Sequence, residues 1–182
     1  MHTMPPESRP ERYEGPAELW EYLPTTPEEL GRLRRDLRFN KRLEPANAAL
    51  ELAVSEFGGN FFKHGNAAPG RLRIFRSPNT IRLEVDILGM TDEERDFQEL
   101  FWGSGDEVAA ILIASKYEQD VWGDKEVDIE NIAEGGRGML LVRFDADRYG
   151  FTASEENDQP CMVWVEYECP PREQPTDSLP RL

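Results

Sequence analysis

Residues 56–65 hold three polar side chains at a spacing that places them on one face of a helix. Glu56, Asn60 and His64 follow one another at intervals of four residues, and side chains at i, i+4 and i+8 stack along one side of a helix. Carboxylate and amide oxygens suit Mg²⁺, which also keeps water and phosphate oxygens in its shell. A solvated polar stripe has the same spacing, so this segment by itself supports either a magnesium–phosphate site or an ordinary helix surface.

A second segment of interest is rich in glycine. Gly135, Gly136 and Gly138 surround Arg137, and a run of apolar residues follows them. Glycine lets backbone N–H groups approach an anion closely, and a helix N-terminus favours negative charge. The segment predicts a glycine-rich loop that opens a helix at 139–146. A flexible turn before a helix is the alternative.

The region between these two segments predicts a β-hairpin. Its strands are expected at 71–76 and 81–88, joined by a turn that contains a proline and an asparagine. The second strand alternates between polar residues and four apolar residues, which are Ile81, Leu83, Val85 and Ile87. Two final strands are expected at 149–152 and 161–168.

This order of segments resembles that of the histidine-kinase-like ATPases, also called the GHKL or Bergerat-fold family. The similarity is greatest to the short anti-sigma-factor serine kinases and ATP-binding regulators of actinobacteria. Residues 52–65 resemble the first motif of that family and 135–142 its glycine-rich motif, while 23–27 and 162–166 resemble its first and last strand regions. The resemblance covers roughly residues 20–168. It implies an α+β fold, a two-layer α/β sandwich whose mixed, mostly antiparallel sheet is covered by helices on one face.

The resemblance also implies a role for each matching residue. Glu56 would act as a general base on a serine or threonine hydroxyl of a partner protein, and Asn60 would bind Mg²⁺. His64 is expected to be a helix-end residue, because a cation is favourable there. The residues expected to contact ATP are Asn60, Lys63, Ile87, Gly89, Gly135, Gly136, Arg137 and Gly138.

One position departs from the family pattern. The corresponding strand of the family ends in Asp-x-Gly, and its aspartate accepts a hydrogen bond from the adenine amino group. If Gly89 is aligned with the glycine of that pattern, Ile87 takes the position of the aspartate. Asp86 then points to the opposite face of the sheet. Burial of the adenine amino group without an acceptor costs roughly 1–3 kcal/mol. A bulge, or a one-residue slip that turned Val85 and Leu83 outward, would bring Asp86 into the pocket.

Negative charge is concentrated in one part of the chain. The whole sequence has 36 acidic and 21 basic residues, a net charge of −15, which disfavours nucleic-acid binding. Residues 84–134 hold 16 acidic and three basic residues. The resemblance makes residues 90–134 a lid over the triphosphate, with an additional helix expected at 106–118. This acidic segment is either a solvated excursion or a docking surface for a basic partner, such as part of a sigma factor.

Positive charge is concentrated in the first predicted helix. Thr26 is the expected N-cap, Pro27 suits the first helical position, and Glu29 would complete a capping box. The helix and the residues after it carry a basic patch of Arg32, Arg34, Arg35, Arg38, Lys41 and Arg42. This patch is either a solvated surface or a binding surface for an acidic partner.

The remaining sequence predicts one domain with two tails. The domain is expected at 19–169, with disordered tails at 1–18 and 170–182. The two cysteines, Cys161 and Cys169, lie at the ends of one predicted strand and are not expected to pair. Absence of a long apolar run and of a signal peptide predicts a cytoplasmic protein with no membrane segment.

Two functional hypotheses follow from these features. The first is a protein serine kinase of the anti-sigma-factor type, which uses ATP and Mg²⁺ and acts on an anti-sigma-factor antagonist. The second is a binding module of the same fold that sequesters a regulator, such as a sigma factor, without phosphoryl transfer. Glu56, Asn60 and the glycines favour the first, whereas Ile87 and the acidic segment favour the second. A homodimer is left open.

Overall fold

The structure is a computed structural model that describes residues 18–63, 70–122, 134–154 and 160–169. His64 and most of both predicted tails lie outside the described residues. The elements, in chain order, are β1 (Glu18–Tyr22), α1 (Pro27–Phe39), a short 3-10 helix (Lys41–Leu43), α2 (Asn47–Lys63), β2 (Leu72–Arg76), β3 (Thr80–Ile87), α3 (Asp92–Gly103), α4 (Glu107–Trp122), α5 (Glu134–Asp145), β4 (Arg148–Thr152) and β5 (Cys161–Glu168).

The five strands form a single sheet in the order β1-β2-β3-β5-β4. Every pairing between them is antiparallel, where the sequence predicted a mixed, mostly antiparallel sheet. With the helices packed against it, the sheet makes the α+β, two-layer sandwich that was expected. The predicted hairpin and both final strands are confirmed within one residue of their expected ends.

The core lies between one face of the sheet and the helices. On β3, Ile81, Leu83 and Val85 are completely buried and Ile87 packs at the margin of the same core, as the alternation predicted. The other strands and the helices contribute further buried residues, which include Leu33, Leu37, Leu50, Val54, Leu72, Ile74, Val163 and Val165. Burial of this apolar surface is the main stabilising contribution to the fold.

The other face of the sheet carries charged side chains at low exposure. Arg82 and Glu84 are both buried, and their Nε and Oε1 atoms lie 3.0 Å apart. The Arg82 guanidinium also lies 4.2 Å from the centroid of the Trp164 ring. That ring covers Gly150 of the edge strand β4, where an added Cβ would come within 2.7 Å of the indole. Glycine at 150 therefore leaves the space that the Trp164 indole occupies.

The start of α1 differs in one detail from the predicted capping box. Thr26 Oγ1 accepts a hydrogen bond from the Glu29 backbone N–H at 3.2 Å, as expected. The Glu29 carboxylate also accepts hydrogen bonds from the backbone N–H and the hydroxyl of Thr25, at 2.7 and 2.8 Å, which were not predicted. A complete capping box occurs at the start of α3, between Thr91 and Glu94, where none was predicted.

Two glycines inside α2 have different surroundings. An added Cβ on Gly58 would come within 2.5 Å of both Leu30 Cδ atoms, whereas one on Gly59 would meet no atom within 4 Å. Gly58 thus allows α1 to approach α2 closely, and α2 is continuous from Asn47 to Lys63.

Helix α3 lies in the segment that the sequence assigned to a lid, and it was not predicted as a helix. Phe101 and Trp102, near its C-terminal end, are buried in the main core, and the helix packs against β4. The first part of the acidic segment is therefore attached to the body of the domain. The helix expected at 106–118 is present as α4.

Two further predictions concern the cysteines and the membrane. Cys161 and Cys169 are both buried and unpaired with each other, as expected. No helix in the described part of the chain is long and apolar enough to cross a membrane.

Candidate functional site

The two sequence motifs meet where α2 packs against α5. The carboxylate of Glu56 lies directly beside Gly138, so that a Cβ added at 138 would be 2.6 Å from Glu56 Oε1 and closer still to Cδ and Oε2. Gly138 is buried and Glu56 is partly exposed. The structure thus brings together the candidate base and one of the predicted phosphate-binding glycines, which are far apart in the sequence.

The glycine-rich segment has a different conformation from the one predicted. Helix α5 begins at Glu134, so that Gly135, Gly136, Arg137 and Gly138 belong to its first turns. The prediction of a loop ahead of a helix at 139 is therefore wrong. Glycine disfavours a helix by only about 1 kcal/mol per residue, and at 138 it leaves the space that the Glu56 carboxylate occupies.

The Glu56 carboxylate lies close to the N-terminal end of α5. The first turn of a helix has backbone N–H groups without intrahelical partners and a partial positive charge. Glu56 lies beside the second turn of α5, close to this end of the helix. The same end of α5 would attract the phosphate groups of a nucleotide for the same reason.

The end of β3 shows which residues face the core side of the sheet. Ile87 lies on that side, opposite Cys161 of β5, and Asp86 lies on the other side, opposite Met162. The pairing of β3 with β5 is regular, without the one-residue slip or the bulge that would have brought Asp86 to the core side in place of Ile87. Gly89 follows with φ of 72°, in the left-handed region that favours glycine. Ile87 therefore faces the core side of the sheet, as the alternation along β3 predicted.

Asp86 has its own partner on the far face of the sheet. The Arg73 guanidinium donates a hydrogen bond of 2.6 Å to Asp86 Oδ1. Burial raises the pKa of the Asp86 carboxyl above its ordinary value, while Arg73 and Arg71 act in the opposite direction. This carboxylate is engaged away from Glu56, so it cannot act as an acceptor on the side of Ile87.

Three other predicted site residues lie at helix ends. Asn60 and Lys63 belong to the last two turns of α2, and Asn60 follows Glu56 by one turn of the same helix. Arg137 lies in the first turn of α5. Among the described residues, no three His, Cys, Asp or Glu side chains converge as a metal site.

A cavity lies at the opposite end of β3 from Gly89. It has a volume of about 480 Å³ and is lined by Asn79, Thr80, Glu168 and Cys169. Those residues surround the hairpin end of β3, and the eight-residue strand separates them from Gly89 by roughly 25 Å.

Arg143 is a residue near the site that sequence reasoning missed. It is completely buried on α5, and its guanidinium donates hydrogen bonds to the Phe101 carbonyl, the Ser104 carbonyl and, at 2.7 Å, the Ser104 hydroxyl. It also lies between two rings, 5.4 Å from the Phe101 centroid and 4.6 Å from that of Tyr149. The sequence feature that could have drawn attention to Arg143 is that it is a single basic residue in the apolar run 139–144.

The bonds of Arg143 attach α5 to the end of α3. The carbonyl groups at a helix C-terminus carry a partial negative charge and lack intrahelical donors, so a guanidinium satisfies them well. Because Arg143 and Gly138 belong to the same helix, this attachment also fixes the position of the Gly138 backbone beside Glu56.

Comparison with known proteins gives no further guidance. No protein-family model matches the chain, and no curated protein matches it either.

Proposed function

We propose that this chain is a regulatory protein with an ATP- and Mg²⁺-binding site of the histidine-kinase-like type. The observation that carries the proposal is the position of the Glu56 carboxylate against Gly138 at the start of α5. A base beside a glycine-rich helix start is the combination that phosphoryl transfer needs, since the helix end attracts phosphate and the carboxylate accepts a proton.

The residues present are suited to the phosphate-binding part of such a site. The backbone N–H groups of Gly135 and Gly136 lie in the first turn of α5, where an anion is favoured. Asn60, one turn beyond Glu56, would be the Mg²⁺ ligand, with Lys63 and Arg137 close to the phosphates. Bound Mg²⁺-ATP would supply a transferable phosphoryl group, and Glu56 would accept the proton of the acceptor hydroxyl.

The residues at the expected adenine-binding part of the site are less well suited to their ligand. Ile87 packs against the core in the position where the family has an aspartate, and Asp86 is bound to Arg73 on the other face. This observation favours the second candidate function, a module of the same fold that binds a regulator and holds nucleotide weakly or not at all. In both cases the proposed partner is a sigma factor or the antagonist of an anti-sigma factor, and the proposed location is the cytoplasm.

Calorimetric titration of ATP, with and without Mg²⁺, tests the proposal. The native chain should bind Mg²⁺-ATP weakly, and Ile87→Asp should tighten binding by about tenfold, within the range expected for restoring one hydrogen-bond partner. Leu88→Asp is the matched control, because it adds the same charge at the adjacent, exposed position and should not tighten binding.

The outcomes separate the two candidate functions. Binding that appears only in Ile87→Asp supports the degenerate module, and binding by the native chain supports a working nucleotide site. If neither protein binds Mg²⁺-ATP while both melt cooperatively, the nucleotide-site proposal is wrong.

A further inference from the structure

Helix α4 has apolar side chains on two opposite sides. Ala110 and Ala114 are buried against the domain. Val108 and Leu112 are 63% and 64% exposed, and their i, i+4 spacing places them on one face of the helix. Exposed apolar side chains that are grouped on one surface are a feature of binding sites.

The end of α3 adds a third exposed aliphatic side chain near α4. Leu100 is 62% exposed, and residues 104–106 connect the two helices. In a tight helical hairpin, positions at equal distance from the turn lie at the same level. Counted from the middle of the connection, Leu100 on α3 corresponds to Ala110 on α4, which lies between Val108 and Leu112 in the sequence.

The surroundings of these apolar residues are acidic. The exposed carboxylates on α3 and at the start of α4 are those of Asp92, Glu93, Asp96, Glu99, Asp106 and Glu107. Arg95 is the one basic residue from 92 to 112, and it forms an ion pair of 3.4 Å with Asp92. The hairpin thus presents apolar residues bordered by negative charge, which we call the α3–α4 surface.

The α3–α4 surface is held firmly in place. Phe101 and Trp102 anchor α3 in the core, and Arg143 binds the carbonyl groups at its C-terminal end. A rigid surface loses little conformational entropy when it binds a partner.

We propose that the α3–α4 surface binds a cationic amphipathic helix of a partner protein. Its apolar side would pack on Leu100, Val108 and Leu112, and its lysine and arginine side chains would pair with the surrounding carboxylates. A second copy of this chain fits the surface poorly. The apolar side of its basic helix α1 is buried in its own core at Leu30, Leu33 and Leu37, and a net charge of −15 opposes self-association.

A labelled model peptide tests this surface without nucleotide. The probe is a fluorescein-labelled peptide of leucine and lysine, about five helical turns long, with all leucines on one face. Its control is the same composition in scrambled order. Anisotropy titration should show the patterned peptide binding at least about tenfold more tightly, because only it presents a continuous apolar face.

Two double variants locate the binding site. Val108→Ser with Leu112→Ser should weaken binding of the patterned peptide about tenfold, as expected for the loss of apolar anchors. Leu23→Ser with Phe39→Ser is the matched control. Those side chains are 60% and 73% exposed and lie outside the α3–α4 surface, so binding should stay within about twofold.

Three results would overturn the proposal. The first is equal binding of the scrambled and patterned peptides, and the second is unchanged peptide binding by the Val108/Leu112 double variant. The third is self-association of the native chain in sedimentation, if the double variant does not self-associate. The last result would make a second copy the occupant. Since nucleotide is absent, failure here leaves the proposed ATP site untouched, and Ile87→Asp tests that site separately.

Discussion

The carboxylate of Glu56 lies in the space where a side chain at position 138 would begin. A Cβ on Gly138 would overlap the Glu56 Cδ and Oε2 atoms, and Oε1 would be 2.6 Å away. The contact joins α2 to α5 and fixes the candidate base beside the glycine-rich helix start. Glycine at 138 thus leaves the space that the Glu56 carboxylate occupies, independently of any phosphate that the segment binds.

Gly138→Ala should displace the Glu56 carboxylate, the flexible end of a partly exposed side chain, from the contacts that it makes. Loss of those contacts opposes the gain of about 1 kcal/mol that alanine gives a helix, so we expect little net change of stability in urea unfolding. Gly59→Ala in α2 is the control. Its added Cβ meets nothing within 4 Å, so it should stabilise the helix by up to about 1 kcal/mol.

A double-mutant cycle identifies Glu56 as the source of the opposing effect. In a Glu56→Ala background the carboxylate is absent, and Gly138→Ala should then show the full gain, with a coupling energy of at least about 1 kcal/mol. If Gly138→Ala changed the free energy of unfolding equally in both backgrounds, the methyl group would have to meet some other part of the protein.

The strands could be predicted from the sequence because each depends on a local alternation. Ile81, Leu83 and Val85 alternate with charged residues, and a slip of one position would have exposed all three. That pattern fixed the register and correctly placed Ile87 on the core side of the sheet. Local patterns also located α1, α2 and α4.

Predictions from the sequence were wrong where packing between distant parts of the chain decides the conformation. Glycines predict a loop at 135–138, but helix α5 extends through them and packs on α2. Helix α3 was missed because the family resemblance assigned residues 90–134 to a lid, whereas Phe101 and Trp102 bury one side of this helix in the core. The buried charge of Arg143 depends on the carbonyl groups of a helix 39 or more residues away, which no local pattern shows.

Arg143→Met should be strongly destabilising and should loosen α3. The substitution keeps much of the side-chain volume but leaves the buried carbonyl groups of Phe101 and Ser104 without a donor. We expect a cost of about 2–4 kcal/mol, with faster amide hydrogen exchange across α3. Arg35→Met, at an exposed position of α1, is the control and should change stability by less than about 0.5 kcal/mol. Unchanged exchange in α3 would show that Arg143 does not attach this helix.

The ion pairs between α1 and α2 should make stability depend on pH through Glu51. Hydrogen bonds from the Arg38 guanidinium lower the pKa of the Glu51 carboxyl below its ordinary 4.5, and Arg34 adds a smaller effect. A carboxyl with a lowered pKa binds its proton less tightly in the folded state, so it stabilises the fold at neutral pH. That contribution is lost as the pH falls from 4.5 through the folded-state pKa.

Glu51→Gln should therefore melt at a lower temperature than the native chain at pH 7, and the difference should shrink below pH 4.5. Thermal melts at several pH values measure it. Salt should reduce the difference at neutral pH, since Arg34 and Arg38 are exposed. A difference that stayed constant from pH 7 to pH 3 would mean that the charge of Glu51 is not what stabilises the contact.

Glu56→Gln separates the two proposed functions. If the chain transfers phosphate to a serine or threonine of an antagonist protein, the amide cannot accept the hydroxyl proton, and transfer should fall by about 10² or more. Glu51→Gln is the matched control, because it makes the same change on α2 at a carboxylate bound to Arg38 and should leave the transfer rate unchanged. Radiolabelled ATP and the candidate acceptor give the rates, and thermal melts confirm that both variants fold. Full transfer by Glu56→Gln would exclude this residue as the base. The Glu56–Gly138 contact would then have only a packing role.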